Sequence, residues 1–222
     1  MIVLTDLSEV LIHGFIGTEE IVGELYGEDI KQRFWRRHLD TNNDFCDLLR
    51  GKMTEDVYWR IFLEGGIDRT PWPFGINKVK AMFGENMTRT IPKTLDVYNR
   101  IIAYPRSFEG DGFGMAEGQP TFYLVSDHIT ERLPEIHKHH PEVFKLMQRE
   151  FLSCEIGSIK QDAGFFDKLL DAAHLRPGEV VFIDDSPTNV CAAICAGIKG
   201  IIFENPIQLE DDLKKLGFRF SD

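Results

Sequence analysis

Two aspartates side by side, Asp184 and Asp185, close the run VVFI at residues 180–183, and a third, Asp6, closes IVLT at residues 2–5. A serine, Ser126, closes FYLV at residues 122–125, and Lys160 stands just ahead of a helical pattern. Carboxylates that leave buried runs need counter-charge, because an unpaired buried carboxylate is costly. Two or three of them converging at one point suit Mg²⁺, a hard cation that takes oxygen ligands. A lysine and a hydroxyl beside them suit a phosphoryl group. A carboxylate can then attack phosphorus and form an aspartyl-phosphate that water later cleaves. Taken singly, each residue has a plainer reading as a cap, a solvated acid or a surface lysine. The ordered set carries the inference.

Such a set works only if the elements bring it to one edge. The runs 2–5, 121–125, 180–183 and 200–203 read as strands. Between the later ones lie helical patterns, at 164–174 with Phe165, Phe166, Leu169 and Leu170 inward, and at 187–196. Strands alternating with helices predict an α/β fold with a Rossmann-like parallel sheet covered on both faces. Ligands of such sheets bind beyond the carboxyl ends of the strands, where all five residues fall or in the loops beside them. Ser186 is predicted to cap the second helix, Pro187 to fill its first turn and Gly197 to end it. Residues 14–90 carry few strand signals. There Thr18 precedes Glu19 and Glu20, and Thr54 precedes Glu55 and Asp56, as helix starts do. The predicted organisation is a core of residues 1–13 and 91–222, with a small helical cap, residues 14–90, inserted after the first strand.

Composition bounds the partners. A chain of 222 residues with 43% hydrophobic content can bury a sizeable core. A formal charge of −11 excludes nucleic acid as a natural partner, since binding it requires a basic face. No apolar stretch approaches the ~20 residues of a membrane helix. No basic segment precedes the first apolar run, so no signal peptide is read. Four cysteines, Cys46, Cys154, Cys191 and Cys195, form no CxxC. Cys191 and Cys195 read as small buried residues, and a reducing, cytoplasmic location is expected. The stretch 105–120 is about three times the usual ~4–6-residue connection. Its GDGFG neither follows a strand nor opens a helix, so no phosphate-cradling loop is read there. A surface loop and a lid or partner contact are both open. No oligomeric state follows from the sequence.

The segments VLTDLSEVLI, FYLVSDH, SCEIGSIKQDAGFFDKLLDAA and VVFIDDSPTNVCAAICAGIKGI resemble, in this order, the haloacid dehalogenase superfamily of hydrolases. LLRGKMTEDVYW resembles the cap of the subgroup whose helical insert follows the first strand. Phosphatases of the glucose-1-phosphatase type and the phosphatase domain of soluble epoxide hydrolases look nearest. The resemblance implies Asp6 as nucleophile and Mg²⁺ ligand, and the Ser8 backbone carbonyl as a further ligand. It implies Asp185 as a direct ligand and Asp184 as a ligand or an orienting neighbour. Ser126 and Lys160 would hold the phosphoryl group, Lys160 would also hold Asp6 in place, and Asn189 would support the acids. Asp127, where many relatives carry an amide, would either adjoin the substrate or face the surface. The expected partner is a small phosphorylated molecule, sugar-phosphate-like.

One departure stands out. Ser8 occupies the position where most such phosphatases carry a second aspartate, the acid that protonates the leaving oxygen. That help is typically worth about 10²–10⁴-fold. Three outcomes are open: a phosphatase with weakened acid–base catalysis; phosphonatase or dehalogenase chemistry; or a phospholigand- or protein-binding homologue without turnover. Glu9 and His13 are candidate replacement acids, and Lys52 is a lysine in the cap, where phosphonatase chemistry would need one. His128 lies close to Ser126, so a reach into the pocket and a purely structural place are both open. The histidines of HKHH, 137–140, are expected at a solvated helix end, and Glu210 to Asp212 at a solvated helix start.

Overall fold

The computed structural model describes residues 1–15, 17–66, 69–104 and 120–221. The stretch 105–119, to which most of the long connection belongs, lies outside the described residues. In chain order the elements are β1 (Ile2–Thr5), α1 (Thr18–Tyr26), α2 (Glu28–Asp40), α3 (Asn42–Leu49), α4 (Glu55–Glu64), α5 (Ile76–Met87), α6 (Thr94–Ala103), β2 (Thr121–Ser126), α7 (Leu133–His139), α8 (Pro141–Leu146), β3 (Arg149–Leu152), α9 (Ser153–Ile156), α10 (Phe165–Ala173), β4 (Val180–Asp184), α11 (Pro187–Cys195), β5 (Lys199–Ile202) and α12 (Pro206–Lys215).

The five strands form one parallel sheet in the order β3-β2-β1-β4-β5. β1 sits at its centre, with Ile2 opposite both Thr121 and Val180. A central parallel strand is covered on both faces, which is why IVLT and VVFI read as continuous apolar runs. Asp6 follows β1 and Asp184 ends the adjacent β4, so both stand at the point where the strand order reverses, the usual ligand crevice of such sheets. β3 was not foreseen. It is an edge strand of four residues with a partner on one side only, and because it opens on Arg149 and Glu150 it carries no apolar run.

Helix α10 turns Phe165, Phe166, Leu169 and Leu170 inward as its spacing predicts. Each buried side chain contributes about 1.5–3 kcal/mol. In α11, Val190 and Ala193 face the sheet, which leaves Cys191 and Cys195 exposed rather than buried as expected. The helices α1 to α5 enclose an aromatic core of Phe34, Tyr58, Trp59, Phe62 and Phe83, joined by Phe15, while Trp35 stays partly exposed. The chain leaves and rejoins the sheet along one short antiparallel contact: His13 N–H donates to the Arg89 carbonyl at 2.9 Å, and Ile91 N–H to the Leu11 carbonyl at 2.8 Å.

Three expected caps differ in outcome. Thr54 caps α4 by accepting the Val57 N–H at 3.4 Å. Thr18 is already helical, with Gly17 at the cap position, because the chain enters α1 on a turn closed by Thr18 N–H and the Phe15 carbonyl. Ser186 stands at the cap of α11 without a side-chain bond; its N–H is instead taken by Asp184. Gly197 ends α11 at φ +82°, a conformation glycine adopts without strain. The solvated-end reading of 137–140 holds for Lys138 and His139, exposed at the end of α7, and fails at its last residue. His140 is buried, its Nε2 2.8 Å from the Met87 carbonyl. Glu210 and Asp212 lie inside α12 and pair with Arg100, Lys214 and Lys215, since the helix begins earlier, at Pro206.

Candidate active site

Parallel pairing of β2, β1 and β4 puts their carboxyl ends side by side, and the site assembles there. Oxygens of Asp6, Asp184 and Asp185 all lie within 4.8 Å of one another. Asp6 is buried, with Oδ1 accepting the Leu7 N–H at 2.7 Å. Lys160, fully buried, places Nζ 2.8 Å from Asp6 Oδ2 and 2.6 Å from Asp184 Oδ2. Asp184 Oδ1 also accepts Ser186 N–H at 2.8 Å and Asn189 Nδ2 at 3.0 Å. Asp184 is therefore held by three donors and acts as the anchor of the cluster, while the Asp185 carboxylate is half-buried at its rim. Both oxygens of Asp184 accept hydrogen bonds from the protein.

One lysine faces three carboxylates, and the protonation preferences follow. Burial pushes Asp6 well above the usual carboxylate range, reinforced by Asp184 and Asp185 and opposed by Lys160. Burial and the Asp184 charge raise Asp185 to about 6. Burial disfavours the Lys160 cation, yet Asp184, Asp6 and Asp127 together hold it above the ordinary lysine range. The cluster carries an excess of negative charge that a divalent cation would relieve, and its all-oxygen donors fit Mg²⁺. The Ser126 hydroxyl, at the end of β2, is buried without a hydrogen-bond partner among the described residues. A buried hydroxyl without a partner is costly, and it is available to an oxyanion.

The remaining expected residues divide. Asp127 points to the chain around Lys160, accepting its N–H at 3.1 Å, so its carboxylate holds a loop. His128 is buried and neutral: burial lowers it to about 4, and Nδ1 accepts the Ile129 N–H at 2.8 Å, which leaves the proton on Nε2. That Nε2 has no partner among the described residues. Glu9, at φ +59°, takes the Gly14 N–H at 2.7 Å and faces His13 at 3.6 Å, so the two candidate acids pair with each other. Lys52 is 58% exposed and pairs with Asp47 at 3.0 Å. The sequence reading missed the ion pair of Arg50 with Asp162, which joins residues 112 positions apart and leaves no local pattern.

No family model matches the chain. It is 41% identical over 71 residues to the chloroplastic flavin mononucleotide hydrolase 1 of Arabidopsis thaliana, a match covering 32% of this chain and 29% of that protein. It is 34% identical over 64 residues to bifunctional epoxide hydrolase 2 of Mus musculus, covering 29% of this chain and 12% of that one. The chain thus spans less than a third of the length of either relative in these matches. Among solved structures, an HAD family enzyme of Bacteroides thetaiotaomicron superposes with a TM-score of 0.67 at 19% identity, covering 98% of both chains. A second structure of that enzyme holds magnesium and inorganic phosphate, with a TM-score of 0.63 at 18% identity over 91% of this chain and 93% of the other. The chain has the fold of the haloacid dehalogenase superfamily enzymes and resembles them along nearly its whole length.

Proposed function

We propose that this chain is a Mg²⁺-dependent phosphatase that hydrolyses a small, sugar-phosphate-like phosphomonoester through an aspartyl-phosphate on Asp6. The observation that carries the reading is the convergence of Asp6, Asp184 and Asp185 within 4.8 Å around a buried lysine, with a buried serine hydroxyl that has no partner among the described residues. Phosphate and magnesium in the Bacteroides enzyme, and the flavin mononucleotide hydrolase among the relatives, support a phosphorylated small molecule. Residues 14–90 form the cap over the core of 1–13 and 91–222, a division supported by the paired crossing at His13–Arg89 and Leu11–Ile91. The free thiols support a reducing, cytoplasmic setting. Among the described residues no helix is long and apolar enough to cross a membrane.

Asp6, the Ser8 carbonyl and Asp185 would hold Mg²⁺, with Asp184 and Asn189 orienting them. When bound, the metal supplies positive charge to the phosphoryl oxygens and lowers the repulsion between phosphate and carboxylates. Asp6 is fixed by Leu7 N–H and Lys160, so one carboxylate oxygen can approach phosphorus while Lys160 and Ser126 grip the equatorial oxygens. The bond from phosphorus to the leaving oxygen breaks as the Asp6–phosphorus bond forms. Water then attacks phosphorus, releasing phosphate and restoring Asp6. Ser8 offers no acid for the departing alkoxide, so leaving groups of low pKa are favoured.

The test is phosphate release from a panel of sugar phosphates and an activated aryl phosphate, with and without Mg²⁺. Metal-dependent release abolished in Asp6→Asn is expected; release indifferent to metal or to that change defeats the reading. The second reading is a phospholigand-binding homologue without turnover, favoured by Ser8 itself. Its signature is thermal stabilisation by phosphate with no hydrolysis. The exposure of Lys52 counts against phosphonatase chemistry, and the carboxylate cluster against metal-free dehalogenation.

A further inference from the structure

Lys160 must be held where its charge is needed, yet the segment carrying it, 158–162, is an irregular turn between α9 and α10. It is held from two sides. On the sheet side Asp127 takes the Lys160 N–H at 3.1 Å. On the other, Asp162 folds the turn on itself, accepting Ile159 N–H at 3.0 Å and the Ser158 hydroxyl at 3.1 Å. Asp162 is in turn gripped by Arg50, with Nε 3.0 Å from Oδ2 and Nη2 2.5 Å from Oδ1. Two parallel N–H···O bonds from one guanidinium fix orientation as well as position, which a lysine cannot reproduce.

Arg50 lies in the turn after α3, among the helices of residues 18–87, and its neighbours also touch the sheet-bearing part. Ser153 Oγ donates to the Leu49 carbonyl at 2.7 Å and accepts the His128 N–H at 2.9 Å. Gly51, at φ +70°, passes so close to Cys154 that a Cβ there would stand 2.8 Å from its carbonyl oxygen. Only glycine meets both demands without strain. Leu49, Arg50 and Gly51 therefore seat the helical region, in successive residues, on the segments that carry Lys160 and follow Ser126.

We propose that Arg50 is a positioning residue: by docking on Asp162 it sets the turn that carries Lys160, so that seating of the α3–α4 turn and placement of the phosphate-binding cation occur together. Its kinetic consequence rests on the phosphatase reading; its structural content does not. The full chain is made as Arg50→Gln, Arg50→Lys, Asp162→Asn and the Gln/Asn double variant. Amide hydrogen exchange is followed over residues 158–162, thermal unfolding reports the global fold, and Mg²⁺-dependent hydrolysis of an activated aryl phosphate reports the reaction. Arg50→Gln and Asp162→Asn are each expected to speed exchange in that turn by ~10-fold. They are expected to lower kcat by ~10-fold with KM within about 2-fold, since a small misplacement of a catalytic group is costly. Arg50→Lys restores part of both, and the double variant is no worse than either single change. Unchanged exchange at 158–162 in a folded Arg50→Gln protein overturns the proposal, as do strictly additive losses in the double variant. If the unaltered chain releases no phosphate, the phosphatase reading fails and the exchange result alone decides this one. If Arg50→Gln does not fold, Arg50→Lys and Asp162→Asn carry the exchange test.

Discussion

Replacing Asp6 by asparagine separates what the site costs from what it does. The carboxylate oxygens of Asp6, Asp184 and Asp185 lie within 4.8 Å of one another, so Asp6 meets two like charges. At an effective dielectric of ~20 and about that separation, each such pair opposes folding by about 3.5 kcal/mol. The attraction to Lys160 across 2.8 Å offsets about 6 kcal/mol of this. The two nearly cancel, and the desolvation of a buried carboxylate, several kcal/mol, then tips the balance against the charged form. Asparagine keeps the size and an oxygen for the Leu7 N–H, and Lys160 keeps Asp184 at 2.6 Å. In the absence of metal, Asp6→Asn should therefore be more stable than the unaltered chain, by about 2 kcal/mol or roughly 4–8 °C in Tm. Mg²⁺ should reverse the order. At a hundred times its Kd it adds about 2.7 kcal/mol to a protein that binds it, and far less to one stripped of a ligand. Thermal unfolding in chelator and in Mg²⁺ measures both. A substituted protein less stable in chelator, or equal Mg²⁺ shifts in the two proteins, would refute the charge reasoning.

Three further outcomes follow from particular residues. Ser8→Asp should raise kcat on sugar phosphates by ~10²-fold, the lower end of what an acid–base group contributes; steady-state rates that do not rise acquit Ser8 as the deficient position. Glu19 is held up at about 7, chiefly by burial, and its Oε2 has no partner among the described residues. Because its folded value exceeds 4.5, its contribution is complete below about pH 4.5 and lost as pH rises through 7, at most about 3 kcal/mol. Urea unfolding at pH 5 and pH 8 should show that difference shrink in Glu19→Gln, and an undiminished difference assigns it elsewhere. Arg132, buried against Glu55, should cost about 3–5 kcal/mol when changed to methionine, with much of that recovered by adding Glu55→Gln; calorimetry that shows independent losses would dissolve the pair.

The sequence by itself determined the sheet's inner strands and which polar residues stand at their ends. IVLT, FYLV and VVFI are local apolar runs, and each hands its next residue to the same edge once the strands lie parallel. That is why Asp6, Ser126 and the Asp184–Asp185 pair could be named from spacing. The edge strand β3 escaped notice because it opens on Arg149 and Glu150 and has no apolar run, whereas the other edge strand, β5, runs into the apolar Ile201 and Ile202 and was read. The resemblance already sets Lys160 against Asp6; only the tertiary structure added Asp184 as its second partner, since that acid lies 24 positions away and meets it through a separate crossover. The same holds for Asp127 turned toward the Lys160 loop, for His140 sunk under the Met87 carbonyl, and for Arg50 reaching Asp162. Hydrophobic periodicity is written into neighbouring residues, whereas the partner of a charge is set by which distant backbones the packing brings within three ångströms.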